Sequence, residues 1–308
     1  MTADIQNPAF QDDDKAREAL EAVRWPDGPV CPHCGCCDPE RIAAGQGKAH
    51  RPGLYYCADC NGQFTVTVGT VMERSKIPLS KWLLAMHLMG ASKKGMSALQ
   101  LQRMLGVTYK TAWFLCHRIR EAMTPTIRGP LGGEGKAVEA DETYIGGKEK
   151  NKHVGKRNRH NIGGMGKQSV FALVDRDGHS HSFHVANVSG EALRPLIVTH
   201  VDRKSDLMTD QGGQYYHVGK EFNRHEAVNH GADEYVRGDA HTNTAESRFA
   251  LMKRAVYGTH HSISEAHLHR YLAEWDFKWN TRKVKDGERA TLIAKGIEGK
   301  RLTYRPTY

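Results

Sequence analysis

The stretch Lys136-Ala-Val-Glu-Ala-Asp-Glu-Thr-Tyr-Ile145 decides the fold. Its alternation reads as a strand carrying Asp141. A second run, Ser205-Asp-Leu-Met-Thr-Asp210, passes straight into Gln211-Gly-Gly213, so Asp210 ends a strand at a glycine turn. A third acid, Glu246, lies in His241-Thr-Asn-Thr-Ala-Glu-Ser-Arg-Phe-Ala-Leu-Met-Lys-Arg254, which reads as a helix. Lys253 follows it by two helical turns; at ~100° per residue the two side chains project from nearly the same face.

Three such carboxylates suit phosphodiester chemistry. Breaking or exchanging that bond needs an activated oxygen nucleophile and a stabilised leaving oxygen. Two Mg²⁺ ions about 3.5–4 Å apart supply both. Mg²⁺ takes oxygen ligands and keeps part of its water shell, so a few carboxylates suffice. Any single acid among the chain's 35 is more often a solvated surface charge. The surroundings give the trio its weight.

Working outward, Gln168 to Val174 reads as a buried strand and Asp175-Arg-Asp-Gly178 as a hairpin turn, with the return strand from His179 to Val188. Helices follow at Gly190 to His200 and Gln214 to Phe222, with a short strand near Glu226-Ala-Val228. This order describes a mixed sheet flanked by helices, with the acids at one edge. Between Asp141 and the second strand lies a glycine-rich segment, 146 to 167, carrying Lys148, Lys150, Lys152, Lys156, Arg157, Arg159 and Lys167. It has too little apolar content for a core and reads as a loop that grips a phosphate backbone.

Upstream, Cys31-Pro-His-Cys34 and Cys57-Ala-Asp-Cys60 are two tight turns that each offer a pair of thiolates. Together they make a closed tetrahedral zinc site, and Leu54 to Tyr56 and Gln63 to Val68 fit the ribbon strands that join them. Cys36, Cys37 and His33 read as packing or surface residues. Residues 77 to 123 read as helical: one apolar-rich helix, then Ser97 to Leu105, a turn at Gly106-Val-Thr108 and a basic helix from Lys110 to Met123. The last pair is helix-turn-helix-like, with Lys110, His117, Arg118 and Arg120 as candidates to face DNA. Residues 124 to 136 hold two Pro and four Gly and read as a linker.

The net charge of +9 favours a polyanionic partner. No run of 18 apolar residues is present, and the first residues lack a secretory signal's basic and apolar regions. Four of the seven Cys falling in Cys-x-x-Cys pairs suits a reducing compartment. The expected organisation is an α/β multidomain chain: an N-terminal helical segment (1–24), zinc ribbon (25–75), helix-turn-helix-like region (77–123), linker (124–136), catalytic domain (137–283) and basic tail (284–308) lying along DNA.

Asp141-Glu-Thr-Tyr-Ile-Gly-Gly-Lys148, Asp210-Gln-Gly-Gly213 and His241-Thr-Asn-Thr-Ala-Glu246 with Lys253-Arg254 resemble the RNase H-like DDE domain of bacterial insertion-sequence transposases, in a group where a zinc ribbon precedes it. The resemblance covers roughly residues 25 to 280. It implies cleavage at transposon ends and joining of the 3′-OH to target DNA. Asp141, Asp210 and Glu246 would bind Mg²⁺ or Mn²⁺, structural Zn²⁺ would sit on the cysteines, and Lys253 would act near the reacting phosphate. Some relatives use Asn in the third slot, which leaves Asn243 as the alternative to Glu246 there; Asn243 and His241 also stand as accessory candidates. The implied partners are double-stranded DNA, as terminal repeats and target, and further copies of the chain, with cytoplasmic, nucleoid-associated localisation. A non-catalytic DNA-binding regulator and a nuclease that cuts without joining are the competing readings.

Overall fold

The computed structural model describes residues 5–45, 50–126, 129–147, 149–158, 164–232, 234 and 236–303. They form two compact units, Met1–Thr126 with Thr281–Tyr308, and Ile127–Asn280.

The first unit opens with α1, Asp13–Arg24. The Asp12 carboxylate accepts the Lys15 N–H, and acids in the first turn with Arg24 in the last suit the helix dipole. Three short antiparallel strands follow: β1 (Ile42–Ala44), β2 (Tyr55–Cys57) and β3 (Gly62–Phe64). Their small core is aromatic. Trp25 meets Tyr55 and Phe64 edge-on, while the latter two stack at 5.6 Å. The second ribbon strand stops at Phe64 rather than running to Val68, because the Val66 carbonyl is taken by the Arg24 guanidinium at 2.7 Å instead of a strand partner.

Helix α2 (Leu79–Ala91) buries Trp82, Leu83, Met86 and Met89 completely. Helix α3 (Ala98–Leu105) is capped by Ser97 and ends at Gly106, whose φ of +62° suits glycine. Thr108 then caps α4 (Tyr109–Met123). The segment from α3 to α4 therefore has the expected stop and start signals.

The second unit is built on a five-stranded sheet. Its strands are β4 (Ala137–Ile145), β5 (Gln168–Asp175), β6 (Ser180–Val185), β7 (Asp206–Asp210) and β8 (Arg224–Val228), in the order β6-β5-β4-β7-β8. β4, β5 and β6 pair antiparallel; β4, β7 and β8 pair parallel. Helix α5 (Gly190–His200) links β6 to β7, and a single turn, α6 (Tyr216–Gly219), links β7 to β8. The helix expected at 214 to 222 is reduced to this turn and a preceding 3₁₀ turn, since Gly212, Gly213 and Gly219 hold little helix propensity. Helices α7 (Asn243–Ala255) and α8 (Glu265–Asn280) complete the unit.

Alternation along the strands divides two cores. Val138, Ala140, Leu173 and Leu207 pack with Leu193, Ile197 and Tyr215. Val170, Ala172 and Val174 pack on the other face with Phe249, Met252, Leu272 and Trp275 of α7 and α8. In the hairpin after β5, Asp175 is a turn residue: its Oδ1 accepts the N–H groups of Gly178 and His179, both at 2.7 Å.

Residues after 284 depart from the expected tail. Asp286–Lys295 form a further helix, α9, within the first unit, with Ala290, Ile293, Ala294 and Ile297 fully buried. The Arg289 guanidinium donates to the carbonyls of Gly90, Thr281 and Val284. Apolar spacing, rather than charge, decides this segment.

Candidate active site

Asp141 lies on β4, the central strand, and not at a sheet edge, because β4 takes β5 on one side and β7 on the other. Its position shares parity with Ile145, which packs on the α7 core, so the carboxylate belongs to the α7 face. The parallel register pairs Ala140 with Thr209, which sets Asp141 beside Asp210 one step later. Asp210 shares parity with Met208, which packs with Val228 and Ala240. Helix α7 covers this face through Ala245, Phe249 and Met252, and Glu246 stands in its first turn. Three distant acids thus share one face.

Burial pushes the Asp141 carboxyl up to about 7; the Glu142 N–H bonded to it at 2.8 Å opposes this, while the charges of Glu142, Asp210 and Glu246 add to it. The three carboxylates do not draw to a point. Among the described residues, the acid trio is absent from the groups whose ligand atoms all lie within 4.8 Å of one another. Like charges repel, and Glu246 is exposed on a flexible stem.

Two further acids escape sequence reasoning. Glu139, fully buried on the same strand face, accepts the N–H groups of Thr244 at 2.8 Å and Ala245 at 2.9 Å, and the Thr244 hydroxyl at 2.9 Å. Thr242 offers α7 no side-chain cap, so Glu139 provides it across the sheet. His241 Nδ1 lies 3.2 Å from Glu139 Oε1 and Arg176 Nε lies 3.4 Å from it. His241 therefore lines the base of α7. Asn243 is exposed at the first position of α7, and Lys253 is partly buried two turns beyond Glu246. Glu142 points to the opposite face, bonded by Gln214 Nε2 at 2.9 Å and by the Tyr215 hydroxyl; burial raises its carboxyl above the ordinary range.

In the ribbon, the sulfurs of Cys31, Cys34, Cys57 and Cys60 lie within 4.8 Å of one another. Cys31 to Cys60 is 3.6 Å and Cys34 to Cys57 is 3.7 Å. Four Zn–S bonds of ~2.3 Å at tetrahedral angles place sulfurs about 3.8 Å apart, so the residues fit the ion. The N–H of Cys60 first, and then that of Asp59, hold the Cys57 thiol down at about 7, as a thiolate ligand requires. Cys36 lies beside Asp59 and Cys57, their ligand atoms within 4.8 Å of one another, and Cys37 is exposed.

Residues 11–63 match the transposase zinc-ribbon domain, and residues 130–280 match the ISXO2-like transposase domain. A protein of Halobacterium salinarum, described as an uncharacterized protein in transposable element ISH50, is 30% identical over 283 residues, covering 87% of this chain and 91% of its own length. This chain belongs to the ISXO2-like transposases.

The transposase's ribbon match begins before the cysteines and takes in α1 and Trp25, part of the ribbon's aromatic core. Its second match nearly coincides with the second compact unit. The two domains make this a DNA-binding, DNA-processing protein. Among the described residues, no helix is long and apolar enough to cross a membrane.

The basic residues proposed to meet DNA divide. In the loop after β4, Lys150, Lys152 and Lys156 are exposed. Arg157 is exposed as well, its guanidinium also donating to the loop's own carbonyls of Lys152 at 2.9 Å and Lys150 at 2.8 Å. Lys148 and Arg159 lie outside the described residues. On α4, the transposase does not present Arg118: it is 9% exposed and donates to the carbonyls of Leu302 and Glu73. His117 and Arg120 are also buried, because the C-terminal half of α4 packs on all sides. The basic groups that reach solvent there are Lys110, Arg74 and Lys76, around a cavity of about 360 Å³ floored by Trp82 and Phe114. Arg74 and Lys76 carry no helical signal that would have marked them.

Proposed function

We propose that this transposase cuts insertion-sequence ends and joins the freed 3′-OH to target DNA. Asp141, Asp210 and Glu246 would hold two divalent ions, Mg²⁺ or Mn²⁺. The observation that supports the reading is the common face: the β4–β7 register and α7 set three acids from distant positions on one side of the sheet. When bound, the metal pair supplies activation of the attacking oxygen and charge neutralisation at the leaving one.

The chain's own residues do the rest. Asp141 and Asp210, on adjacent strands, fix the scissile phosphate's approach; Glu246 and Lys253 flank it from α7, the lysine as a phosphate contact. In cutting, a water oxygen bonds to phosphorus, the bond from phosphorus to the 3′ oxygen breaks, and that oxygen leaves as a hydroxyl. In joining, the hydroxyl attacks a target phosphate and displaces the 3′ oxygen there. Lys150, Lys152, Lys156 and Lys110 would hold the DNA backbone, so binding falls steeply with salt. Two ends must meet, so the working form is an oligomer of this chain on DNA.

Purified protein incubated with the element's terminal duplex, a target plasmid and Mg²⁺ or Mn²⁺ tests this. Metal-dependent nicks and joined products are expected, and Asp210→Ala abolishes both while DNA binding persists. Binding without nicks, or nicks without joined products, overturns the proposal.

A further inference from the structure

Beyond Asp141 along β4, a cavity of about 650 Å³ opens in the second unit. One wall is the chain leaving β4 and entering β5, with Gly146, Gly147, Lys150 and Lys167; the other is the end of α7, with Tyr257 and His261. It adjoins Ile145 and Val256, both in the α7 core, so it lies on the acids' face of the sheet.

The α7 wall is irregular. The helix widens into a π turn over Val256–His260, where the His261 N–H reaches the Val256 carbonyl at 2.6 Å. His261 then adopts φ +59°, ψ −46°, and the Ser262 N–H closes back on the His260 carbonyl at 2.6 Å. This is a γ-turn of the strained hand, on a residue with a side chain. π turns and strained backbone gather at ligand sites. The distortion turns the chain beside Tyr257, which is 54% exposed and lines the cavity.

We infer that this cavity receives a nucleotide of the DNA strand close to the scissile phosphate, its base against Tyr257 and its phosphate toward Lys150. The inference rests on the reading that end DNA lies across Asp141, Asp210 and Glu246. Ile145 lies four residue steps along the strand from Asp141, ~13 Å at about 3.3 Å per step. That is a few nucleotides at ~3.4 Å of rise per base. Glycine backbone on one wall gives the sugar-phosphate close approach, and an exposed aromatic opposite it stacks on any base. A solvated charged loop accounts for the lysine; it does not account for the strained turn facing it.

The test uses the full-length protein carrying Asp210→Ala, so that binding is read without depending on cutting. Terminal duplexes each lacking the base at one of the nucleotides around the cleavage site are titrated by fluorescence anisotropy. Tyr257→Ala is expected to weaken binding of intact duplex on the order of tenfold, as loss of one stacked base does. On one abasic duplex the penalty vanishes, because the contact is already gone, and Tyr257→Phe restores intact binding. An equal penalty on every duplex, or wild-type binding by Tyr257→Ala, overturns the inference. Cutting by the Asp210→Ala parent would instead overturn the catalytic reading, so the two failures are distinguishable.

Discussion

Glu139 holds the base of the helix that bears Glu246: its carboxylate accepts the Thr244 N–H at 2.8 Å from β4, two residues ahead of Asp141 on the same face. One strand therefore carries the first acid and fixes the helix of the third. Glu139→Ala leaves the buried Ala245 N–H unpaired, at about 1–3 kcal/mol, and strips the part-buried Thr244 N–H of its acceptor. The expected outcome is a lowered unfolding midpoint and cleavage falling far more than DNA affinity. Glu139→Gln retains an acceptor and should recover most of the stability, while cutting recovers less, since one amide oxygen replaces two carboxylate oxygens. Urea denaturation with a nicking assay on each variant checks this; equal losses of binding and cutting would refute the positioning role.

Asp141 makes the apo protein pH-sensitive in the unusual direction. Its folded carboxyl titrates at about 7 against 3.8 unperturbed, mainly because it is buried. The folded chain therefore holds more protons than the unfolded one between these values, and stability falls as pH rises through that window. Asp141→Asn removes the effect. The variant should be more stable than wild type at pH 8 without divalent metal, by on the order of 1 kcal/mol after allowance for solvent screening, and as stable near pH 4. Mg²⁺ should raise the wild-type midpoint at pH 8 and leave the variant's unchanged. Thermal scans at both pH values, with and without Mg²⁺, read all of these effects.

How far the sequence reached differs from residue to residue. The cysteine pairs were legible because two turns of fixed spacing encode a local geometry. The strand end at Asp210 was legible because a glycine turn marks it. Glu139 was not: a charged residue in an alternating strand looks solvent-facing, and its partners at Thr244 and Ala245 lie more than a hundred positions away. Arg118 misled for a related reason. Leu115 through Arg120 are all buried, so α4 lacks a polar face in that half, and no periodicity reports burial on all sides. The Asp286–Lys295 helix was obscured by the net charge around it, although its Ala and Ile spacing fits a helix.

The ribbon depends on its ion. Its core is little more than Trp25, Tyr55 and Phe64, and structural zinc contributes about 10 kcal/mol or more at neutral pH. Cys57→Ser removes a ligand whose thiol is held down at about 7. Zinc per chain by mass spectrometry should drop from one equivalent to well below it, and terminal-duplex binding should fall at least tenfold. Chelation of the wild type should reproduce the loss and added zinc should reverse it. Full DNA affinity in a zinc-free protein would contradict a structural role for the site.

The contact that ties α7 to α8 is ionic and buried. Arg248 of α7 and Asp276 of α8 pair at 2.7 Å, each no more than 3% exposed, and the Asp276 carboxylate also accepts from Ser180 Oγ, Ser182 N and Ser182 Oγ of β6. This joins α7, α8 and an edge strand at one carboxylate. Asp276→Ala strands a buried guanidinium and should cost about 3–5 kcal/mol, far beyond an exposed pair. Arg248→Met with Asp276→Leu removes both charges and leaves no ion unpaired, so it should recover most of that stability. Glu246 sits half a turn from Arg248. If the pair also fixes the helix, the double variant will be stable but cut more slowly than wild type. Denaturant midpoints for the single and double variants, with cleavage rates for the double, separate these roles: a double variant as unstable as Asp276→Ala would show that the serine bonds, not the charge pair, hold the junction.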